Sequence, residues 1–311
     1  MTLDPQMIAV MKKRATLTDG AGDVADLALD EIRDAYNAER AWWNEIKPEM
    51  HNVMNMNIEG PVRDIPIRIY KPSDLDEGPT LLYLHGGGWI LGNLDTHDRV
   101  MRLLADFSGA RVVGVDYALS PEYKFPVAIN EVRAVLDWLN AHGRDHGLDS
   151  AQLGIGGDSA GANLAVSGSQ LCHQQSPGLI QFLLLYYGAY GLTESASWQQ
   201  YGNAEFEFTL EEKEFYLTSY LGDAHDRDDP QFNVLKGDIG LLPRAFIAAA
   251  ECDPLQDDSI ALYKAMEREG RPATLKIYPG VLHSFIHYSR MLNQATEALR
   301  DGADALNACF S

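Results

Sequence analysis

The chain has 311 residues, of which 46% are hydrophobic and 23% are charged, and its formal net charge at pH 7 is −20. This composition is ordinary for a globular protein with a sizeable core, and the length suits one large α/β domain or two small ones. Because a phosphate backbone attracts clustered lysine and arginine, the acidic balance excludes nucleic acid and anionic membrane surfaces as expected partners.

The chain is predicted to begin with helices up to about Glu49, including one at 23–43 with apolar residues at helical spacing. Alternating apolar residues at 53–70 then predict antiparallel edge strands. The remaining predicted strands are at 80–84, 111–117, 152–156, 180–187, 244–250 and 274–278. The remaining predicted helices are at 95–107, from Pro126 onward, at 160–172, from Asp257 to Gly270 and at 285–308.

Continuous apolar strands that alternate with helices predict an α/β fold with a mostly parallel sheet covered on both faces. The alternation breaks at 191–231, where aromatic residues lie among acidic ones. We expect this insertion and the N-terminal segment 1–50 to form a helical cap over a core made of 51–190 and 232–311. A cap would shape a pocket and exclude water, whereas an inserted helical pair that only packs is the alternative.

Residues 157–161 read Gly-Asp-Ser-Ala-Gly, the nucleophile-elbow pattern that places a serine on a strained turn between a strand and a helix. Residues 85–88 read His-Gly-Gly-Gly, a turn that can direct backbone N–H groups at a developing oxyanion. One such string can arise by chance, but both follow predicted strands and come in the expected order. Ser159 is therefore the candidate nucleophile.

The candidate oxyanion hole follows from the same two strings. The N–H of Ala160, the residue after the nucleophile, is a natural donor, and Gly87 and Gly88 offer two more. Gly86 is needed for the turn. Trp89 and Asp158 are candidate pocket residues, although core packing explains Trp89 equally well.

A serine hydroxyl needs a base, and the base needs a third group that orients it. Asp253 follows a predicted strand and stands before Pro254, which makes it the candidate acid. Glu251 would also reach this region. Asp257 and Asp258 are more typical of carboxylates that open a helix.

His283 follows the last predicted strand and is the candidate base. His287 is more typical of a histidine on a helix face, and His85 of one that braces the glycine turn. The other six histidines lie in helix or loop contexts with no partner pattern: His51, His97, His142, His146, His173 and His225.

These strings, together with Asp116-Tyr-Ala-Leu-Ser-Pro-Glu122, Asp253-Pro-Leu255 and His283-Ser-Phe285, resemble the hormone-sensitive-lipase-like branch (bacterial family IV) of the α/β-hydrolases. Residues 91–99 and 287–291 more narrowly resemble enterobacterial acetyl esterases. The similarity runs from about Leu81 to the C-terminus. The resemblance implies an α/β-hydrolase fold, a triad of Ser159, Asp253 and His283, and a carboxylesterase acting on short acyl chains, acetyl to about hexanoyl.

We therefore expect a small-molecule ester as substrate and neither an organic cofactor nor a metal ion. An amidase or deacetylase with the same triad, and a ligand-binding regulatory protein on this fold, are the alternatives. A homodimer is compatible with the sequence, which does not fix the oligomeric state.

Three scattered cysteines favour a reducing compartment, and the N-terminus lacks the features of a signal peptide. The longest apolar stretch, 179–192, is too short to span a bilayer. We expect a cytoplasmic protein.

Overall fold

A computed structural model describes residues 2–18, 27–75 and 78–311. The strands are β1 Asn52–Ile58, β2 Ile65–Lys71, β3 Pro79–Leu84, β4 Arg111–Val115, β5 Asp149–Asp158, β6 Ile180–Tyr186, β7 Arg244–Cys252 and β8 Ala273–Leu282. The α-helices are α1 Pro5–Leu17, α2 Leu29–Asn44, α3 Asp98–Ser108, α4 Val127–His142, α5 Ala160–Gln175, α6 Ala196–Tyr201, α7 Leu210–Tyr220, α8 Gln256–Arg268 and α9 Asn293–Phe310.

The strands form a single sheet in the order β1-β2-β4-β3-β5-β6-β7-β8. β2 pairs antiparallel with β1 and β4, and every other neighbouring pair is parallel. The α/β prediction and its antiparallel edge are therefore confirmed. Since parallel strands end at the same edge, the loops that follow β3, β5, β7 and β8 come together there.

Apolar side chains cover both faces of the sheet, as the continuous apolar strands predict. One face packs against α4, α5 and α8 through residues such as Val135, Leu164 and Leu262. The other face packs against α3 and α9, for example through Leu103 and Leu299. The sheet is thus held rigidly between two layers, and its carboxyl edge is a fixed platform for the loops.

The predicted closing helix at 285–308 was wrong at its start. Ser284 has a left-handed backbone (φ 64°), Phe285–Tyr288 forms one 3₁₀ turn, and α9 begins only at Asn293. All four residues of the 3₁₀ turn are buried. A run of four consecutive buried residues fits no amphipathic helix, which leaves one face in solvent. The turn instead inserts its side chains into the protein.

Other boundaries differ by a few residues. α3 begins at Asp98 rather than at 95, because the Asn93 side chain accepts hydrogen bonds from the N–H groups of Asp95 and Thr96 and forms a turn there. β5 is longer than the predicted 152–156. The N-terminal region contains two helices, and in the described chain the second begins at Leu29; residues 23–26 of the predicted helix lie outside the described residues.

None of the helices in the described ranges combines the length and the apolar character needed to cross a membrane.

Candidate active site

Ser159 occupies the turn between β5 and α5. Its backbone has φ 53° and ψ −118°, a conformation that is costly for any residue with a side chain. Its N–H donates to the carbonyl of Tyr186 (2.9 Å), and its carbonyl accepts from the N–H of Asn163 (3.2 Å). The packed strand and helix on either side hold this strained turn and present the hydroxyl at the carboxyl edge of the sheet.

The side chains of Ser159, His283 and Asp253 form one chain of hydrogen bonds. His283 Nε2 lies 2.9 Å from Ser159 Oγ, and His283 Nδ1 lies 2.8 Å from Asp253 Oδ2. Asp253 is fully buried, and its second oxygen accepts the N–H of Leu255 (2.8 Å). A carboxylate held in this way fixes the orientation of the imidazole, which can then take a proton from the serine.

The other acids considered from the sequence lie nearby but do not contact the imidazole. Glu251 accepts the N–H of Gly280 (2.7 Å) and so steadies the end of β8, which leads to His283. Asp257 accepts the N–H of Ser197 (2.9 Å). Asp258 accepts three N–H groups at 190–192 through Oδ1. Both aspartates lie in the first turn of α8, as predicted.

The glycine turn after β3 lies beside the serine. Gly88 has φ 60°, a left-handed conformation that glycine adopts without strain. No acceptor within the described ranges meets the N–H groups of Gly87, Gly88 or Ala160. These three N–H groups are therefore free of a partner within the described part of the chain. The N–H of Gly86 is not, because it donates to Asp158 Oδ1 (3.0 Å).

His85 braces the turn, as its position in the sequence indicates. Its ring is stacked on Tyr117 with 4.2 Å between centroids, and its Nδ1 lies 2.9 Å from the carbonyl of Gly86. Burial, and then the neighbouring His97, lower the pKa of His85 to about 3. A neutral imidazole with its proton on Nδ1 donates to the Gly86 carbonyl and leaves the turn rigid.

Asp158 is 1% exposed and its carboxylate is surrounded by protein groups. The side chains of His97 and His287, which the sequence did not connect with it, lie 3.3 Å and 3.5 Å from its oxygens. Burial opposes ionisation of Asp158, but the two histidines outweigh it and hold the pKa of this carboxyl well below its usual range. His287, placed on a helix face from the sequence, lies instead in the buried 3₁₀ turn.

Trp89 borders the cavity described below and also packs in the core. Its ring is stacked on Tyr220 at 4.6 Å between centroids, and it is 3% exposed. Its N–H is buried and has no hydrogen-bond partner among the described residues. The indole therefore forms a flat wall beside the serine.

A cavity of about 460 Å³ opens over Ser159 and His283. Its floor is the glycine turn and the serine, and its walls come from the N-terminal helices and from the insertion at 191–231. Phe208 of the insertion lies 5.0 Å from the His283 ring, centroid to centroid, and Tyr216 lies directly over Gly88. The arrangement can bind a small carbonyl compound with its oxygen toward the backbone donors and its carbon beside the serine.

Comparison with known proteins identifies relatives of this chain. A family model described as the alpha/beta hydrolase fold matches residues 81–287. The acetyl esterase of Salmonella dublin is 42% identical over 282 residues, which cover 90% of this chain and 87% of that protein.

Solved structures agree. A hyperthermophilic esterase from the archaeon Pyrobaculum calidifontis superposes with a TM-score of 0.94 at 29% identity, covering 99% of both chains. A thermostable carboxylesterase cloned from a metagenomic library has a TM-score of 0.90 at 29% identity, covering 93% of this chain and 99% of that one. The chain belongs to the α/β-hydrolase family, in its hormone-sensitive-lipase-like branch, and it is a carboxylic ester hydrolase.

Proposed function

We propose that this protein is a serine esterase that hydrolyses short-chain acyl esters, acetyl to about hexanoyl, through an acyl-enzyme intermediate. The observation that carries the proposal is the hydrogen-bonded chain from Ser159 through His283 to Asp253, beside three N–H groups that meet no acceptor among the described residues. The name of the Salmonella relatives, acetyl esterase, supports the short acyl chain.

In the first half of the reaction, Ser159 Oγ attacks the ester carbonyl carbon while His283 Nε2 accepts the hydroxyl proton. The carbonyl oxygen becomes an oxyanion that accepts hydrogen bonds from the N–H groups of Gly87, Gly88 and Ala160. Each such donor is typically worth about 3–4 kcal/mol in the transition state. The alcohol then leaves with the proton from His283, and the acyl group stays on the serine.

In the second half, His283 takes a proton from water, whose oxygen attacks the carbonyl carbon of the acyl-enzyme. The acid is released as the bond to Ser159 Oγ breaks, and His283 returns its proton to that oxygen. Asp253 stays ionised throughout, so it stabilises the protonated imidazole and keeps its tautomer fixed.

The proposed cap consists of 1–50 and 191–231, of which residues 1 and 19–26 lie outside the described residues. Its helices would exclude water from the cavity and limit the length of the acyl chain. The aromatic side chains Trp198, Phe208 and Tyr216, which line the cavity, support this role. A cytoplasmic location remains a prediction.

Hydrolysis of p-nitrophenyl esters from acetate to laurate tests the proposal. We expect the wild type to have its highest kcat/KM between acetate and hexanoate, because the proposed cap would limit the length of the acyl chain. We expect Ser159→Ala to fold normally and to lose activity on every ester, by a factor on the order of 10⁶.

Ser167→Ala is the matched control, since this buried serine lies on the same helix, α5, and its hydroxyl has no partner among the described residues. It should leave kcat unchanged. Substantial turnover by the Ser159→Ala variant would refute the proposed nucleophile.

A further inference from the structure

The carboxylate of Asp158 is the centre of a buried cluster that lies behind the reacting groups. Its Oδ1 accepts the hydroxyl of Tyr83 (2.9 Å) and the N–H of Gly86 (3.0 Å), and it lies 3.3 Å from His97 Nε2. Its Oδ2 lies 3.4 Å from the Tyr187 hydroxyl and 3.5 Å from His287 Nε2. We call these five partners and Asp158 the Asp158 network.

The network joins the three segments that the proposed reaction uses. Asp158 itself directly precedes Ser159. Gly86 directly precedes the two glycines with open N–H groups. His287 lies in the 3₁₀ turn that follows His283, and His97 comes directly before α3.

The fit between the network and the glycine turn is close. A Cβ at Gly86 would lie 2.5 Å from Asp158 Oδ2, so the turn rests directly against this carboxylate. The His97 and His287 rings meet edge to face, with 4.5 Å between centroids. Both histidines and Asp158 are at least nine-tenths buried, so none of these contacts competes with water.

We propose that Asp158 is a positioning residue that holds the oxyanion donors of Gly87 and Gly88 in register with Ser159, while His97 and His287 hold Asp158. This inference rests on the proposed function. Asp158 does not touch the reacting atoms. It acts by fixing the N–H of Gly86 and, through His287, the turn after the catalytic imidazole.

The same three side chains, His97, Asp158 and His287, offer donor atoms close enough to bind a cation. Hydrogen bonding argues against that use, because Oδ1 already accepts the hydroxyl of Tyr83 and the N–H of Gly86. A metal ion would have to displace these donors from the turn that the proposed mechanism needs.

Asp158→Asn tests the proposal, because asparagine has the shape of aspartate but lacks the negative charge that attracts the N–H of Gly86. We expect kcat for p-nitrophenyl acetate to fall by up to about 100-fold, with little change in KM. This is the effect of moving the oxyanion donors about 1 Å from their place. Inactivation by a p-nitrophenyl alkylphosphonate should slow in the same proportion, because its adduct places an oxygen in the same hole.

Glu131→Gln is the matched control for loss of a buried charge. Glu131 is fully buried, pairs with Arg63 (2.9 Å) and accepts the N–H of Ala118 (2.7 Å). We expect this variant to unfold at a lower temperature with its kcat unchanged. The comparison separates positioning of the oxyanion donors from general stability.

A second pair of variants decides the question if Asp158→Asn does not fold. His287→Gln keeps an amide N–H near the place of Nε2–H, whereas His287→Leu removes the donor at similar volume. We expect His287→Gln to retain most of the wild-type kcat and His287→Leu to lose it, with similar KM values.

Three results would overturn the proposal: an unchanged kcat in Asp158→Asn, equal kcat values in the two His287 variants, or recovery of chelator-treated enzyme by Zn²⁺ or Fe²⁺. Ser159→Ala is measured alongside. If it is inactive while Asp158→Asn is fully active, only the positioning role fails, whereas an active Ser159→Ala contradicts the proposed function itself.

Discussion

The Tyr216 ring packs directly on Gly88 and so brings the insertion into contact with the glycine turn. A Cβ added to Gly88 would lie 2.4 Å from Cδ1 of the Tyr216 ring, far inside van der Waals contact. The left-handed φ of 60° at Gly88 adds a cost for any other residue. The Tyr216 side chain and the glycine turn of the proposed oxyanion hole therefore pack without space for an extra methyl group at Gly88.

Gly88→Ala should lower kcat for p-nitrophenyl acetate by about 10-fold or more, since either the turn or the tyrosine must move. Tyr216→Ala in the same chain should recover part of the loss, because it removes the steric half of the penalty. A double-mutant cycle on kcat measures the coupling. Purely additive effects would show that the ring contact is not the cause.

Candidate active-site residues could be predicted where their position after a strand indicates their place in the fold. Ser159, Asp253 and His283 each follow a strand, and the structure brings their side chains within hydrogen-bond distance. His97 and His287 were missed as partners of Asp158. Each stands alone in the sequence with no motif, and only the order of strands in the sheet and the buried turn after His283 bring them together.

At the scale of elements, α8 connects to the insertion through Asp258. This buried carboxylate accepts the N–H groups of Tyr190, Gly191 and Leu192 at 2.7, 3.0 and 3.2 Å. Burial raises the pKa of Asp258 from 3.8 to about 7 and outweighs these three donors, which lower it. The first turn of the helix thus holds the point where the chain leaves β6 for the insertion.

Asp258→Asn should change how stability depends on pH. Between pH 3.8 and about 7 the unfolded chain has lost this proton and the folded chain keeps it, so this residue makes the wild type less stable as pH rises, with no further change above that range. We expect the Tm of Asp258→Asn, relative to wild type, to increase from pH 4 to pH 7 and then to level off. Asp257→Asn, on the same helical turn, is the control, and parallel curves for Asp258→Asn and wild type would contradict the assignment.

The types of the elements could be predicted because the spacing of apolar residues follows which faces are buried. The sheet and its two helical layers determine those faces. The region at 285–292 was misread because its apolar residues, among them Phe285 and Ile286, fit a helical period by chance. The left-handed residue Ser284 and the complete burial of the turn depend on tertiary contacts that no local pattern contains.

On the scale of the whole molecule, the net charge of −20 destabilises the folded state, because folding brings the excess negative charges closer together. We expect Tm at pH 7 to rise as NaCl increases from about 10 to 200 mM, because the screening length falls from about 30 Å to below 10 Å. Choline chloride should give the same rise, which separates screening from binding of a particular cation. A fall in Tm would mean that ion pairs such as Arg14–Glu207 dominate instead.

The interleaved sheet has a consequence for how activity arises. The loops that carry the serine, the acid, the histidine and the glycine turn follow β5, β7, β8 and β3, and β3 lies between β4 and β5 in the sheet. A fragment that holds all the pieces must run at least from the glycine turn at 85–88 to His283, and the long-range pairing of β3 with β5 has to finish before they meet. Ester hydrolysis measured during refolding therefore reports when the sheet is complete. A collapsed chain with native helices but incomplete strand pairing should have no esterase activity.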